Sequence, residues 1–288
     1  MLRVRTPSLA LSAVLLTTVA LPLTSAAATP TTTTTTSPAI IISTTPPTTT
    51  PRVREVNPFT LPVVKNYLAS RGDVTAAIYD VASRKTYLYR PGNRQPTASM
   101  IKINILALLL YQSQQTRHPL SEETKETATA MIEYSDNDAA TDLWNDVGGE
   151  AAIAAFDARI GYTQTIANED WGEVETTPTD QLKLLKIITL PNKFLDVASQ
   201  HYEQYLMEHI ASYESFGIGD GTPAPATTGF KNGWYPETTG WQTNTSGYVH
   251  AGARFYLLTI MTARNPSETY GTDTLTALAN LIYRTLKP

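Results

Sequence analysis

Ser99 and Lys102 stand three residues apart, in the only Ser-x-x-Lys of this 288-residue chain. On a helix that spacing places both side chains on one face, where they can meet. A serine hydroxyl is a weak nucleophile until a neighbour takes its proton. Lysine can take it only as the neutral amine, a state favoured by burial, by a second cation and by the positive end of a helix. An apolar run, Ile105-Leu106-Ala107-Leu108-Leu109-Leu110, follows directly. Rooting a lysine at the base of such a helix is costly unless it has a partner or a task. The pair therefore points to nucleophilic serine chemistry. The plainer alternative is a serine near a helix start beside an exposed lysine.

Two more short patterns occur once each, Ser135-Asp136-Asn137 and Lys231-Asn232-Gly233. The first falls between two expected helices and reads locally as a turn with an N-cap for a helix starting at Asp138. The second ends an expected strand and reads locally as a strand entering an Asn-Gly turn. Lys231 can also supply the second cation for Lys102.

The elements that must position these residues follow from periodicity. Apolar spacing predicts helices over 61–68, 101–110, 122–133, 138–146, 150–159, 179–188, 192–210 and 273–286. Runs rich in β-branched and aromatic residues predict strands over 74–79, 85–89, 227–231, 240–243, 248–250 and 254–262. Two strands, a block of helices, more strands and a closing helix make an α+β chain. The expected architecture is a five-stranded antiparallel sheet, formed by N- and C-terminal segments and packed with helices. The helical block makes a separate all-helical lobe, with a cleft between.

Order, spacing and element pattern together resemble the class A β-lactamase-like, penicillin-recognising serine hydrolases, whose signature carries Ser-x-x-Lys, Ser-Asp-Asn and a Lys-x-Gly strand. The resemblance implies a β-lactamase/DD-peptidase-like fold and an acyl-enzyme on Ser99, with Lys102 as base. It implies that Ser135 relays a proton to the leaving nitrogen and that Asn137 holds the substrate amide. Lys231 then attracts the substrate carboxylate, Gly233 lets the substrate approach, and the N–H groups of Ser99 and Trp234 form the oxyanion hole. Asn232 replaces the usual threonine or serine of the strand motif, which alters the reach of its contact with that carboxylate. The substrate is a β-lactam or a peptidoglycan stem peptide. Where the family carries its deacylating glutamate, before Thr176-Thr177-Pro178, this chain has only Asn168-Glu169-Asp170-Trp171-Gly172-Glu173. Glu169 and Glu173 can stand in, and each reads equally well as a solvated loop acid. β-Lactam hydrolysis and slow-turnover D-alanyl peptidase action both fit, and a non-catalytic wall-binding module is the rival from another class.

The rest of the chain bounds the setting. Arg3 and Arg5 before an uncharged 9–23 run, then Ala26-Ala27-Ala28, read as a signal peptide over 1–28. Residues 29–51 hold 12 Thr and 5 Pro, a composition expected to stay extended as a stalk or plain tether. Residues 52–288 are then the hydrolase domain, secreted or cell-wall associated, without stable membrane insertion once the leader is removed, and monomeric. The chain has no cysteine and a net charge of −4, so zinc-thiolate sites are excluded and nothing suggests a nucleic-acid partner. His118, His201, His209 and His250 show no ligand spacing, so neither metal nor cofactor is expected. Gly217, Gly219 and Gly221 read as a loop.

Overall fold

The computed structural model describes residues 56–286. The expected leader and Thr/Pro linker lie outside the described residues. Strands β1 (Asp73–Asp80) and β2 (Lys85–Tyr89) form a hairpin, and β3 (Gln95–Pro96) pairs with the equally short β4 (Glu175–Thr176). Three long strands close the chain, β5 (Thr227–Glu237), β6 (Gly240–Ala251) and β7 (Arg254–Asn265). The main sheet runs β2-β1-β7-β6-β5, and every pairing in it is antiparallel. The first and last thirds of the described chain thus share one sheet, as expected.

Helix α1 (Pro62–Ala69) begins with a proline in its first turn, where no helical N–H is lost. Between the two groups of strands come α2 (Lys102–Thr116), α3 (Glu122–Glu133), α4 (Asn137–Val147), α5 (Gly149–Arg159), α6 (Pro178–Thr189) and α7 (Val197–Glu208). A short α8 (Ile218–Gly221) precedes the sheet's return, and α9 (Glu268–Thr285) ends the fold.

Strand alternation divides the apolar side chains between two faces. Val74, Ala76 and Ile78 of β1, with Tyr256, Leu258 and Ile260 of β7, pack against Val64 and Leu68 of α1 and Leu275, Leu278 and Ile282 of α9. Ala77 and Leu257 face the other way, into a larger cluster with α2 to α7. The result is three layers, with the sheet in the middle. Helix α2 is buried on nearly every side, with Ile103, Ile105, Leu106 and Ala107 all at zero exposure. That is why its sequence is apolar almost all round.

Four expectations need correction. Lys231-Asn232-Gly233 does not end a strand; β5 continues to Glu237, with Asn232 opposite Thr245 and Gly233 opposite Asn244 on β6. The expected strands 240–243 and 248–250 are one strand, because the polar stretch between them, Asn244 to Ser246, is completely buried and paired on both sides. Gly217 to Gly221 is not a plain loop, since α8 forms there against α9 and Gly221 packs where a Cβ would come within 2.7 Å of Ala279 Cβ. Helix α7 starts at Val197 instead of 192, since the Asn192 side chain caps a turn by accepting from Phe194 and Leu195 N–H. No described helix is long and apolar enough to cross a membrane.

Candidate active site

Ser99 sits in a 3-10 turn, Ala98–Ile101, that leads into α2. Ala98 holds φ at +47°, a conformation sparsely used by residues with a side chain. The turn is held by its surroundings. Asn244 of β6 donates its amide to Pro96 O at 2.8 Å and to Thr97 O at 3.2 Å. Gly233 of β5 lies so close that a Cβ there would fall 2.6 Å from Thr97 O, 2.7 Å from Met100 N and 2.9 Å from Ser99 N. Only glycine permits that approach, and it brings the Trp234 backbone up beside the Ser99 turn. Trp234 packs edge-on against Phe216, ring centroids 5.3 Å apart.

Lys102, the first residue of α2, is completely buried. Its Nζ donates to Ser135 O at 2.7 Å, to Asn137 Oδ1 at 2.8 Å and to Ser135 Oγ at 3.2 Å. Among the described residues these are its hydrogen bonds, and none joins it to the Ser99 hydroxyl. Ser99 is half-buried, and among the described residues its hydroxyl makes no hydrogen bond. On the remaining side the Trp171 ring lies over the ammonium, 5.0 Å from Nζ to ring centroid. The Trp171 Nε1–H donates to Thr141 Oγ1 at 3.2 Å, which ties the indole to α4.

Ser135 stands at the junction of α3 and α4 with φ at +55°. The turn is set by Asp136, whose carboxylate caps α4 by accepting from Ala139 N–H at 2.8 Å. Asp136 is therefore structural, and Asn137 is the first residue of the helix it caps. The left-handed turn presents both the carbonyl and the hydroxyl of Ser135 to Lys102.

Lys231, from the middle of β5, reaches the same hydroxyl. Its Nζ lies 2.9 Å from Ser135 Oγ and 2.8 Å from Glu214 Oε2, and lysine and carboxylate are both buried. Two amines thus converge on one hydroxyl, with a single carboxylate behind one of them. The Lys102 pKa is lowered to about 7, first by burial and then by the Lys231 charge, with Glu214 and Asp136 opposing the shift. Burial also lowers Lys231, against the pull of Glu214. Near neutral pH a large fraction of Lys102 is then the free amine that a general base requires.

Asn232, expected at the substrate, points elsewhere. It is completely buried, and its amide donates to Glu214 O at 2.7 Å and Phe216 O at 3.1 Å. Neighbours on a strand face opposite ways, so a residue beside Lys231 cannot share its outlook. Two residues of the site went unnoticed in the sequence, Glu214 and Trp171. Neither belongs to a short motif, and neither has a spacing that marks it. Glu169 is exposed, and Glu173 accepts a hydrogen bond from Tyr235 OH at 3.3 Å. The acids whose charges act on Lys102 are Glu214 and Asp136.

The arrangement can move a proton between Lys102 and Ser135, whose Nζ and Oγ lie 3.2 Å apart. Among the described residues no group of three His, Asp or Glu is placed to hold a metal. Residues 119–286 match the family model described as the beta-lactamase enzyme family, which is more than half of the chain. No curated protein matches at a significant level. Among solved structures, the fold is similar to a beta-lactamase from Chitinophaga pinensis, with TM-score 0.68 and 17% identity over 77% of this chain and 97% of that one. It is similar to a class A beta-lactamase from Bacteroides cellulosilyticus, with TM-score 0.68 and 15% identity over 76% and 94% of the two chains. A PBP-A mutant, solved as an acyl-enzyme complex with penicillin G, gives TM-score 0.66 and 18% identity over 76% and 93%.

Proposed function

The chain belongs to the beta-lactamase enzyme family, and from that premise we propose that it opens β-lactam or D-alanyl-type amides by forming an acyl-enzyme on Ser99. The carrying observation is the buried Lys102, aligned by Ser135 and Asn137 and depressed to about 7. In the neutral state its two N–H groups suffice for the two carbonyl oxygens, and the lone pair freed on the side of Ser135 Oγ is the acceptor proposed for the Ser99 proton. The Ser99 oxygen then attacks the amide carbonyl, whose oxyanion is taken by the N–H groups of Ser99 and Trp234. Ser135 passes the proton from Lys102 to the departing nitrogen, and the C–N bond breaks. Asn137 and Lys231 anchor the substrate amide and carboxylate, and Gly233 keeps the wall of β5 close to the Ser99 turn. The leader-like N-terminus supports an extracytoplasmic site of action, where both substrates are met.

Turnover after acylation is the point on which two readings divide. The indole of Trp171, not a carboxylate, covers Lys102. Loss of a positioned base costs on the order of 10² to 10⁴ in rate, so slow release of the acyl group is favoured. That suits a peptidase or transferase of D-alanyl ends better than a fast lactamase. The test is incubation with a fluorescent penicillin and a chromogenic cephalosporin. A long-lived label that Ser99→Ala abolishes is the expected result. Rapid colour change would replace the slow reading with the lactamase one, and no label from either probe would overturn the function.

A further inference from the structure

We propose that Glu214 is a positioning residue that decides which of the two buried lysines acts as the base. This rests on the reading of Ser99 and Lys102 given above. Lys102 and Lys231 both reach Ser135 Oγ, at 3.2 Å and 2.9 Å, and both are at zero exposure. Two ammonium groups so placed repel each other, and burial penalises each, so one of the pair is driven to lose its proton. Nothing in the Ser135 hydroxyl itself distinguishes them.

Glu214 does. Its carboxylate lies 2.8 Å from Lys231 Nζ, with no hydrogen bond to Lys102. Its side chain is only 4% exposed, so its charge is little screened by water. The group is also held rigidly. It ends a 3-10 turn, Ser212–Glu214, and the Asn232 amide clamps its carbonyl and that of Phe216. Asn232 is the residue next to Lys231, so the lysine and its counter-charge are fastened to each other through the backbone as well as through the ion pair. The other groups that bear on the pair are Asp136, at the start of α4, and the Ser135 hydroxyl between them.

With Glu214 in place Lys231 keeps its proton and remains able to draw in a substrate carboxylate. Lys102 gives up its proton and becomes the acceptor for Ser99. Without it both buried lysines lack a directly bonded counter-charge, and Lys231 loses its advantage. The substitution of the middle residue of the Lys-x-Gly motif then has a reason: Asn232 serves the carboxylate behind the strand.

The experiment is a pH titration of the lysine side chains by NMR, on the full chain and on Glu214→Gln. In the unsubstituted protein Lys102 is expected to titrate below Lys231. In Glu214→Gln, Lys231 is expected to fall by at least about one pH unit, to the level of Lys102 or beneath it. Acylation by penicillin should then decline as pH rises, at a pH where the unsubstituted protein stays active, and Glu214→Asp should restore part of the range. Lysine titrations that Glu214→Gln leaves unchanged would overturn the proposal. So would Lys231 titrating below Lys102 in the unsubstituted protein, a measurement available even if the variant fails to fold. The titrations need no substrate. If penicillin never labels the protein, the proposed function falls while the lysine order still decides the role of Glu214.

Discussion

Lys102 Nζ and Asn137 Oδ1 lie 2.8 Å apart although 35 residues of chain separate them. The contact joins the first residue of α2 to the first residue of α4, so two helix starts meet over one hydrogen bond. The buried amine is thereby aimed without help from the serine it is expected to serve.

The pH dependence of acylation should report on that amine. With the Lys102 pKa lowered to about 7, chiefly by burial, the free amine increases as pH rises through that value. The second-order rate of penicillin labelling should therefore climb through about pH 7 and level off above it. Lys102→Arg, which cannot give up its proton, should lose on the order of 10²- to 10⁴-fold at every pH. Stopped-flow labelling across the range checks both, and a flat profile would exclude Lys102 as the base.

Ser135 offers a clean separation of side chain from backbone. Its φ of +55° suits glycine better than any other residue. Ser135→Gly should thus fold with unchanged or slightly higher Tm, and the Ser135 carbonyl can still accept from Lys102. Labelling should fall by roughly 10² or more, the usual weight of a lost proton donor. Undiminished labelling in a stable variant would remove the hydroxyl from the mechanism.

Gly233→Ala should behave differently. The added Cβ would meet three backbone atoms at 2.6 to 2.9 Å, and backbone cannot swing aside as a side-chain tip can. The Ser99 turn must shift, and a displacement approaching 1 Å costs on the order of 10²-fold in rate. Lower Tm together with slower labelling is expected. A variant with normal kinetics would show that the strand does not set the position of Ser99.

Behind α2, Asp157 is buried and receives the Asn104 amide at 3.3 Å, while its other oxygen has no partner. Burial raises its pKa to about 7, against the Asn104 contact. A carboxyl whose folded pKa lies above its unfolded value of about 4 binds its proton more tightly when folded. Its contribution to stability is intact below about pH 4 and is lost as pH rises through about 7. Asp157→Asn should therefore gain stability relative to the parent progressively as pH rises between those limits, and keep the full margin above about pH 7. Melting curves that run parallel across the range would contradict the assignment.

Much of this was legible in the sequence because local signals agreed with the fold. Helix α3 has the expected bounds, since its Ser121 cap accepts from Thr124 N–H and two glutamates occupy the first turn. The three motifs meet because each lies at an element end or on a strand that the sheet brings alongside. Glu214 was not legible: a lone acid in a short turn looks solvated until β5 is known to run behind it. The strand itself was cut short because Asn-Gly carries a turn signal. Here the glycine answers to the Ser99 backbone pressing on it, and the asparagine to carbonyls on the far side.

The two lysines are moored to different bodies of apolar packing. Ile101 and Ile103, on either side of Lys102, belong to the lobe-side cluster, whereas Phe230, next to Lys231, belongs to the cluster beneath α9. A volume change in either body, even one remote from the cleft, therefore bears on the gap between the amines as well as on stability. Drift in the hydrophobic interior should accordingly surface as altered reaction rates together with lowered melting temperatures.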